Sequence, residues 1–153
     1  MKPAIRVSQF LDDQHIHFEA MVHPPAYCAQ RLAKHLHIPG RQVAKSVVLV
    51  GPKQYYLAVL PATHQVDLAA VARVLGVAVR LADEDEIAEL FNDCERGSLT
   101  PFGRLYGLCT LLDDSFAPSS QLIFEVQRHY LAIRMRCQDF EMVEQPRRFS
   151  FAV

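Results

Sequence analysis

The stretch VVLVGPKQYYLAVL, residues 47–60, decides the fold. Two apolar runs rich in β-branched and aromatic residues, 47–50 and 55–60, flank the segment Gly51-Pro52-Lys53-Gln54. Runs of this kind favour strands, and a short connection with glycine and proline favours a tight turn between them. The stretch therefore predicts a β-hairpin in the first half of the chain.

Helix and strand patterns on both sides of the hairpin predict a mixed domain. Helices are predicted over residues 3–14, 26–36 and 68–75, and the last of these lies between an Asp67 N-cap and a Gly76 C-cap. Two further helices are predicted, one from Asp83 to near Phe91 and a short one that begins at Asp139. Strands are predicted over residues 15–22, 77–81, 106–112, 122–126 and 130–135, with residues 144–148 outside any element. Because these elements do not alternate as βαβ units, we expect a single α+β domain, residues 1–153, with a mixed, largely antiparallel, barrel-like sheet flanked by helices.

Composition places the chain among ordinary globular proteins. Half of its 153 residues are apolar, and its formal net charge of −1 argues against a generally basic surface for nucleic acid. The four cysteines are widely separated, and neither a signal peptide nor an apolar run long enough to span a membrane is evident. We expect a cytoplasmic protein with free thiols, no cofactor or metal, and neither DNA nor a membrane as partner.

A stretch rich in glycine and proline, GSLTPFG at residues 97–103, is the first candidate site. Glycine permits backbone angles that other residues resist, and proline fixes φ and removes a donor, so the stretch predicts a shaped loop. Backbone N–H groups of such a loop can face a ligand, although a structural turn between two elements is its commoner role.

Lys45 is the second candidate, because it is the one cation at the start of an apolar run, residues 43–50. Such a lysine either extends its ammonium to solvent or directs it at an anion. His64 and His129, each in a polar interruption, either orient a ligand or cap a turn. Neither Ser98 nor the cysteines show the sequence signature of a nucleophile.

Several short segments form one ordered pattern from about residue 20 to the C-terminus. They are HPPAY at 23–27 with Ala29 and Gln30, VAKS at 43–46, PATH at 61–64, LFNDCERGSLTPFG at 90–103, and AIRM at 132–135 with Asp139 and Phe140. Together they resemble the YbaK / prolyl-tRNA-synthetase-associated editing domain family. The lysine before a strand and the GXXXP loop are the specific parts of this resemblance.

The resemblance implies a freestanding trans-editing hydrolase that removes a wrongly attached amino acid from tRNA without a metal. Small or thiol-bearing residues (Cys, Ala, Ser) on the tRNA for proline are the family's usual range. Lys45 is then expected to hold the 3′-terminal nucleotide through its phosphate, and the loop from Gly97 to Pro101 to hold the ester and polarise its carbonyl. Further substrate contacts are expected from Tyr27, Ser46, Thr63, Ser98, Leu99, Thr100, Gly103 and His129. The expected partners are the acceptor end of an aminoacyl-tRNA and, as a further candidate, prolyl-tRNA synthetase.

Two alternatives to editing stay open. Gln127 stands where the family usually has a glycine before His129, which favours a non-catalytic paralogue that binds tRNA or a synthetase. The other alternative is a small-molecule hydrolase that uses His64 or His129 as its base. An aminoacyl ester is already reactive, so oriented water and preorganised backbone donors suffice, and the absence of a triad motif agrees with editing.

Overall fold

The computed structural model describes residues 5–25 and 29–153 of the chain. In these ranges the helices are α1 (Ile5–Asp13), α2 (Ala29–Leu36), α3 (Leu68–Leu75), α4 (Glu84–Leu90) and α5 (Cys137–Glu144). The strands are β1 (Glu19–Val22), β2 (Ala44–Val50), β3 (Tyr55–Pro61), β4 (Arg80–Leu81), β5 (Cys109–Asp113), β6 (Gln121–Val126), β7 (Arg128–Arg136) and β8 (Arg147–Phe149). Short 3₁₀ helices cover Gly40–Gln42 and Gly103–Tyr106.

The strands form two sheets. β2 and β3 form the predicted antiparallel hairpin within a five-stranded sheet of order β4-β2-β3-β5-β8, in which β5 runs parallel to both β3 and β8. β1, β7 and β6 form an antiparallel sheet. A bridge between Val43 and Ile123 joins the sheets, but within the described ranges they do not close into a barrel. The predicted α+β class is confirmed, with two open sheets in place of a barrel-like one.

The main hydrophobic core anchors the end of the glycine- and proline-rich loop. Phe102 is completely buried, and its ring centroid lies 5.2 Å from that of Phe140 and 5.7 Å from those of Phe124 and Phe10. Edge-to-face packing of this kind stabilises the core beyond the area that it buries. The buried Phe102 therefore fixes the C-terminal end of the glycine- and proline-rich loop against the core.

The predicted helix caps are confirmed. The Asp67 side chain accepts a hydrogen bond within the first turn of α3, and Gly76 ends that helix with φ 75°. Asp83 and Glu86 form a reciprocal capping box at α4, and Phe91 is its C-terminal cap. These local side-chain bonds satisfy N–H groups that the helix itself leaves unpaired.

The strand predicted over residues 15–22 was too long. His15 lies in the left-handed region with φ 58°, and its N–H donates to Asp12 O over 3.0 Å. This tight turn follows α1 directly, so the extended segment begins only at β1. Alternation of apolar and polar residues does not distinguish such a turn from a strand.

The strand predicted over residues 106–112 began too early. The 3₁₀ helix Gly103–Tyr106 occupies its start and ends at Gly107, whose φ is 77°. The extended segment is β5, which begins after this turn.

The remaining differences concern the ends of elements. The strand predicted over 77–81 is reduced to β4, and the strand predicted over 130–135 extends over Arg128–Arg136 as β7. The helices predicted over 3–14 and 26–36 are observed as α1 and α2, with residues 3–4 and 26–28 outside the described residues. The helix predicted from Asp139 begins at Cys137, and part of the segment 144–148 pairs as β8.

Candidate active site

The glycine- and proline-rich loop borders a cavity of about 440 Å³. Its lining comes from β2, α4 and the segment after α4, and it consists of Ser46, Glu84, Ile87, Ala88, Phe91, Asn92, Cys94, Glu95, Arg96, Gly97 and Leu99. A concave site with an apolar lining and a few polar groups is typical of small-ligand binding. The cavity therefore joins three of the predicted site residues, Ser46, Gly97 and Leu99.

Backbone hydrogen bonds give the loop its shape. Gly97 has φ 80°, a conformation that favours glycine, and the N–H of Ser98 donates to Glu95 O over 2.9 Å. The carbonyl of Ser98 accepts from the N–H of Gln127 over 3.1 Å, and the N–H of Glu95 donates to Gln127 O over 2.8 Å. The loop is thus joined to the turn between β6 and β7.

Gln127 adopts a backbone conformation that usually favours glycine. Its φ is 62°, in the left-handed region, and its side-chain Nε2 donates to Asp93 O over 3.2 Å. A residue with a side chain adopts this conformation at a cost, but the backbone geometry is the one that glycine favours. Gln127 therefore forms the left-handed turn before His129 without a glycine.

The loop carries backbone donors for which residues 5–25 and 29–153 provide no acceptor. Among the residues that the structure describes, no acceptor receives the N–H groups of Gly97, Leu99 and Thr100. The hydroxyl groups of Ser98 and Thr100 are buried and likewise have no partner in that part of the chain. Unpaired N–H groups beside a cavity can stabilise negative charge on a ligand oxygen.

His129 lies beneath the loop. Its ring is buried, and its Nε2–H donates to the carbonyl oxygen of Arg96. A Cβ atom at Gly97 would lie 3.5 Å from His129 Cε1, so the ring lies on the side of Gly97 toward which a side chain would project. The N–H of His129 donates to Glu95 Oε1 over 3.4 Å.

Glu125 is a buried carboxylic acid that sequence analysis missed. Its Oε1 lies 3.6 Å from His129 Nδ1, and burial, together with the negative charge of Glu95, raises the pKa of Glu125 to about 8. The available signal was a lone carboxylate within the apolar strand at residues 122–126. A buried charge at such a position needs a partner or a proton.

Cys94 lines the cavity as a protonated thiol. Burial raises the pKa of Cys94 to about 12, and its Sγ lies 3.5 Å from both Tyr106 Oη and Asp93 Oδ1. A nucleophilic cysteine needs a thiolate, which a raised pKa disfavours. This agrees with the sequence analysis, which found no nucleophile signature.

Lys45 lies inside β2 and outside the lining of this cavity. The strand was predicted to begin at residue 47 but begins at Ala44, where Lys45 pairs in register with Leu60. Because side chains alternate along a strand, Lys45 and Ser46 occupy opposite faces, and Ser46 is the one that lines the cavity. Burial lowers the pKa of the Lys45 ammonium, and no carboxylate of the described ranges forms an ion pair with it.

The other predicted site residues are distributed around the loop. Pro101 and Gly103 are buried, and a Cβ at Gly103 would lie 2.5 Å from Thr110 Oγ1, so close packing requires this glycine. Thr63 is exposed, and its Oγ1 forms a hydrogen bond of 2.8 Å with His64 Nδ1. Tyr27 lies outside the described residues.

The described part of the chain contains no group of three or more His, Cys, Asp or Glu side chains that could hold a metal ion. In the same part, every helix is too short or too polar to span a membrane.

The comparison with protein families identifies the class. The model of the aminoacyl-tRNA editing domain matches residues 23–142, and the chain therefore belongs to this family. The resemblance inferred from the sequence is confirmed. Membership supports deacylation of aminoacyl-tRNA as the broad activity, with aminoacyl-tRNA as the class of substrate.

Solved structures show the same fold. The hypothetical protein APE2540 is 13% identical with a TM-score of 0.89, over 97% of this chain and 99% of that one. A protein provisionally described as a trans-editing enzyme for prolyl-tRNA synthetase is 22% identical with a TM-score of 0.82, over 100% of this chain and 99% of that one. No curated protein matches the chain.

Proposed function

We propose that this protein is a freestanding trans-editing deacylase that hydrolyses the ester of a mischarged tRNA. The amino acid is small, of the Cys, Ala or Ser type, and the tRNA for proline is the first candidate carrier. The observation that carries the proposal is the set of N–H groups at Gly97, Leu99 and Thr100 that have no acceptor among the described residues, in a chain that matches the editing domain over residues 23–142.

In the proposed reaction, the backbone of the loop stabilises the oxyanion. Attack of water on the ester carbonyl moves negative charge to the carbonyl oxygen, and the tRNA 3′-terminal ribose leaves as an alcohol after it receives a proton. Donors fixed before the reaction lower this barrier, and one such donor contributes about 10²–10³ in rate. The neighbouring ribose hydroxyl, or a thiol of the substrate, is the proposed source of proton transfer, and no metal is required.

Lys45 is proposed to bind the phosphate of the 3′-terminal nucleotide. Its ammonium is partly desolvated and has no carboxylate partner among the described residues, so a phosphate would restore favourable charge interactions. Because Lys45 does not line the cavity, it is proposed to contact the phosphate of the nucleotide rather than the amino acid.

The cavity beside Gly97 is proposed to receive the aminoacyl group. Its volume of about 440 Å³ exceeds that of a small side chain and leaves room for part of the terminal nucleoside as well. Selection by size alone therefore requires that the bound nucleotide fill the remaining space.

The two alternatives have less support. The hypothesis of a non-catalytic paralogue depended on Gln127 in place of glycine, and Gln127 still adopts the left-handed conformation of the turn. For a hydrolase that uses His129 as a base, Nε2 is unsuitable because it already donates its proton to Arg96 O. Hydrolysis on the loop is the function that the geometry supports best.

Deacylation of a panel of aminoacyl-tRNAs by the wild type and by Lys45→Ala tests the proposal. Lys53→Ala is the matched control, since Lys53 is exposed at the tip of the β2–β3 hairpin. We expect one small amino acid on one tRNA to be released by the wild type and the control but not by Lys45→Ala. Binding of tRNA or synthetase without release of any amino acid would instead establish the non-catalytic alternative.

A further inference from the structure

We propose that Glu125 and His129 are positioning residues that orient the Arg96–Gly97 peptide, so that the Gly97 N–H faces the substrate ester. This inference rests on the proposed function, because it concerns how one oxyanion donor is held.

The first step is the orientation of a single peptide unit. The Arg96 carbonyl and the Gly97 N–H belong to the same peptide bond, and no cis peptide occurs in the described residues. In a trans peptide these two groups point in opposite directions. Because the carbonyl points at His129 Nε2, the Gly97 N–H points away from His129, and it has no acceptor among the described residues.

The same hydrogen bond strengthens the donor. A carbonyl that accepts a hydrogen bond is polarised, and hydrogen bonds that share one amide reinforce one another. His129 therefore acts on the Gly97 N–H through the peptide bond, without contact between its ring nitrogens and the ester.

Glu125 orients the imidazole ring. A carbonyl oxygen only accepts, so His129 Nε2 carries a proton, while Nδ1 lies 3.6 Å from Glu125 Oε1. Either a protonated carboxyl faces neutral Nδ1 or a carboxylate faces the imidazolium, and in both cases Nε2–H stays directed at Arg96 O. The raised pKa of Glu125 favours the protonated carboxyl.

The charged residues Glu95 and Arg128 lie beside the pair formed by Glu125 and His129. Glu95 accepts from the N–H of His129, and its Oε1 lies 4.0 Å from Arg128 Nε. Glu125 itself is buried, and its Oε2 has no hydrogen-bond partner in the described part of the chain. A buried, incompletely paired carboxyl costs stability, and such costs are expected mainly where function requires the group.

Kinetics of Glu125→Leu and Glu125→Gln test the proposal. Glu125→Gln can still donate to Nδ1, and we expect its kcat to remain within about 3-fold of the wild type. Glu125→Leu cannot, and we expect kcat to fall about 10-fold or more with an unchanged KM for aminoacyl-tRNA. Glu89→Leu, at an exposed position of α4, controls for the loss of a carboxylate and should not change either constant. A folded Glu125→Leu protein with the kcat of the wild type would overturn the proposal.

Nuclear magnetic resonance gives a second readout that does not depend on activity. In Glu125→Leu, the ring nitrogens of His129 should show mixed tautomers, and the amide proton of Gly97 should shift upfield. Unchanged signals at both residues would also overturn the proposal.

A third variant covers the case in which Glu125→Leu does not fold. His129→Phe removes the donor at a similar volume, and it should give the same upfield shift at Gly97; an unchanged shift would contradict the proposal. If the wild type deacylates no tRNA in the panel, the proposed function fails, and these signals alone decide whether the peptide is positioned as described.

Discussion

The backbone N–H of Gln127 donates to the carbonyl oxygen of Ser98 over 3.1 Å, and this bond joins the β6–β7 turn to the GXXXP loop. The carbonyl of Gln127 accepts from the N–H of Glu95 over 2.8 Å, so the turn contacts the loop on both sides of Gly97. Because Gln127 has φ 62°, its conformation determines where both bonds can form. The conformation of the loop therefore depends on a residue outside it.

Substitutions at Gln127 should separate backbone conformation from side-chain chemistry. Gln127→Gly keeps the left-handed turn and should change the free energy of unfolding by less than about 1 kcal/mol, with deacylation retained. Gln127→Val places a β-branched residue at φ 62°, and it should lower stability by about 1–2 kcal/mol and reduce deacylation. Urea unfolding and initial deacylation rates measure both effects.

Gln145→Val is the matched control for this prediction. Gln145 has φ 52° at the C-terminal cap of α5 and does not line the cavity. The control should lose similar stability and keep its activity. Equal losses of activity in the two valine variants would contradict a specific role for the Gln127 turn.

Gly97 should be required for its backbone conformation rather than for space. A Cβ there would meet His129 Cε1 at 3.5 Å, an ordinary contact distance, but φ 80° disfavours any side chain. Gly97→Ala should therefore cost about 1–2 kcal/mol of stability and lower kcat about 10-fold or more, as the N–H turns away from the ester.

Gly76→Ala is the control for this second prediction. Gly76 has φ 75° at the end of α3, with nothing within 4 Å of its added Cβ, so it carries the same backbone strain away from the site. Thermal unfolding should shift similarly in both variants, whereas deacylation should fall only in Gly97→Ala. Full activity of Gly97→Ala would remove this N–H from the proposed mechanism.

The sequence predicts correctly those elements that are determined by residues within them or next to them in the chain. The hairpin follows from β-branched runs around Gly51 and Pro52, and the starts of α3 and α4 follow from the capping side chains of Asp67 and Asp83. The loop at residues 97–103 is also visible, because glycine and proline act on their own backbone.

The contacts beneath the loop could not be predicted in the same way. Glu125 reaches His129 because a register shift between Glu125 and Val126 changes the pairing of β6 with β7. Likewise, β8 is an edge strand held by parallel pairing with β5, a partner distant in sequence. Such contacts depend on tertiary arrangement, which local propensity does not encode.

Two buried carboxyl groups should make stability decrease with rising pH. Burial raises the pKa of Glu144 from 4.5 to about 7, against hydrogen bonds from Thr110 and Arg104 that lower it, and Glu125 is raised to about 8. Above the unfolded pKa, the folded protein holds protons that the unfolded chain has lost. The contribution of these two groups to stability should therefore be fully present below about pH 4.5, fall by roughly 1–3 kcal/mol as pH rises to about 8, and level off beyond that point.

Urea unfolding across this pH range, with glutamine variants, measures the effect. Glu144→Gln should remove the part of the decrease that ends near pH 7, and Glu125→Gln should remove the part that extends to about pH 8. The exposed Glu89→Gln variant should reproduce the slope of the wild type. A slope that neither buried variant alters would show that these carboxyl groups titrate normally in the folded protein.

Lys45 should contribute to function without contributing to stability. Its ammonium is half-buried, burial lowers its pKa, and it pairs with no carboxylate in the described residues. Lys45→Met keeps the length of the side chain and removes the charge, so stability should be unchanged or increase by up to about 1 kcal/mol. The same variant should lose about 10-fold or more in kcat/KM for aminoacyl-tRNA, and the salt dependence of that constant should weaken as one phosphate contact disappears.

Lys53→Met, at the exposed turn of the hairpin, makes the same change of charge and should match the wild type in both measurements. Were Lys45→Met to lose stability while keeping its kcat/KM and salt dependence, Lys45 would be a structural residue of β2 and the proposed phosphate contact would be wrong.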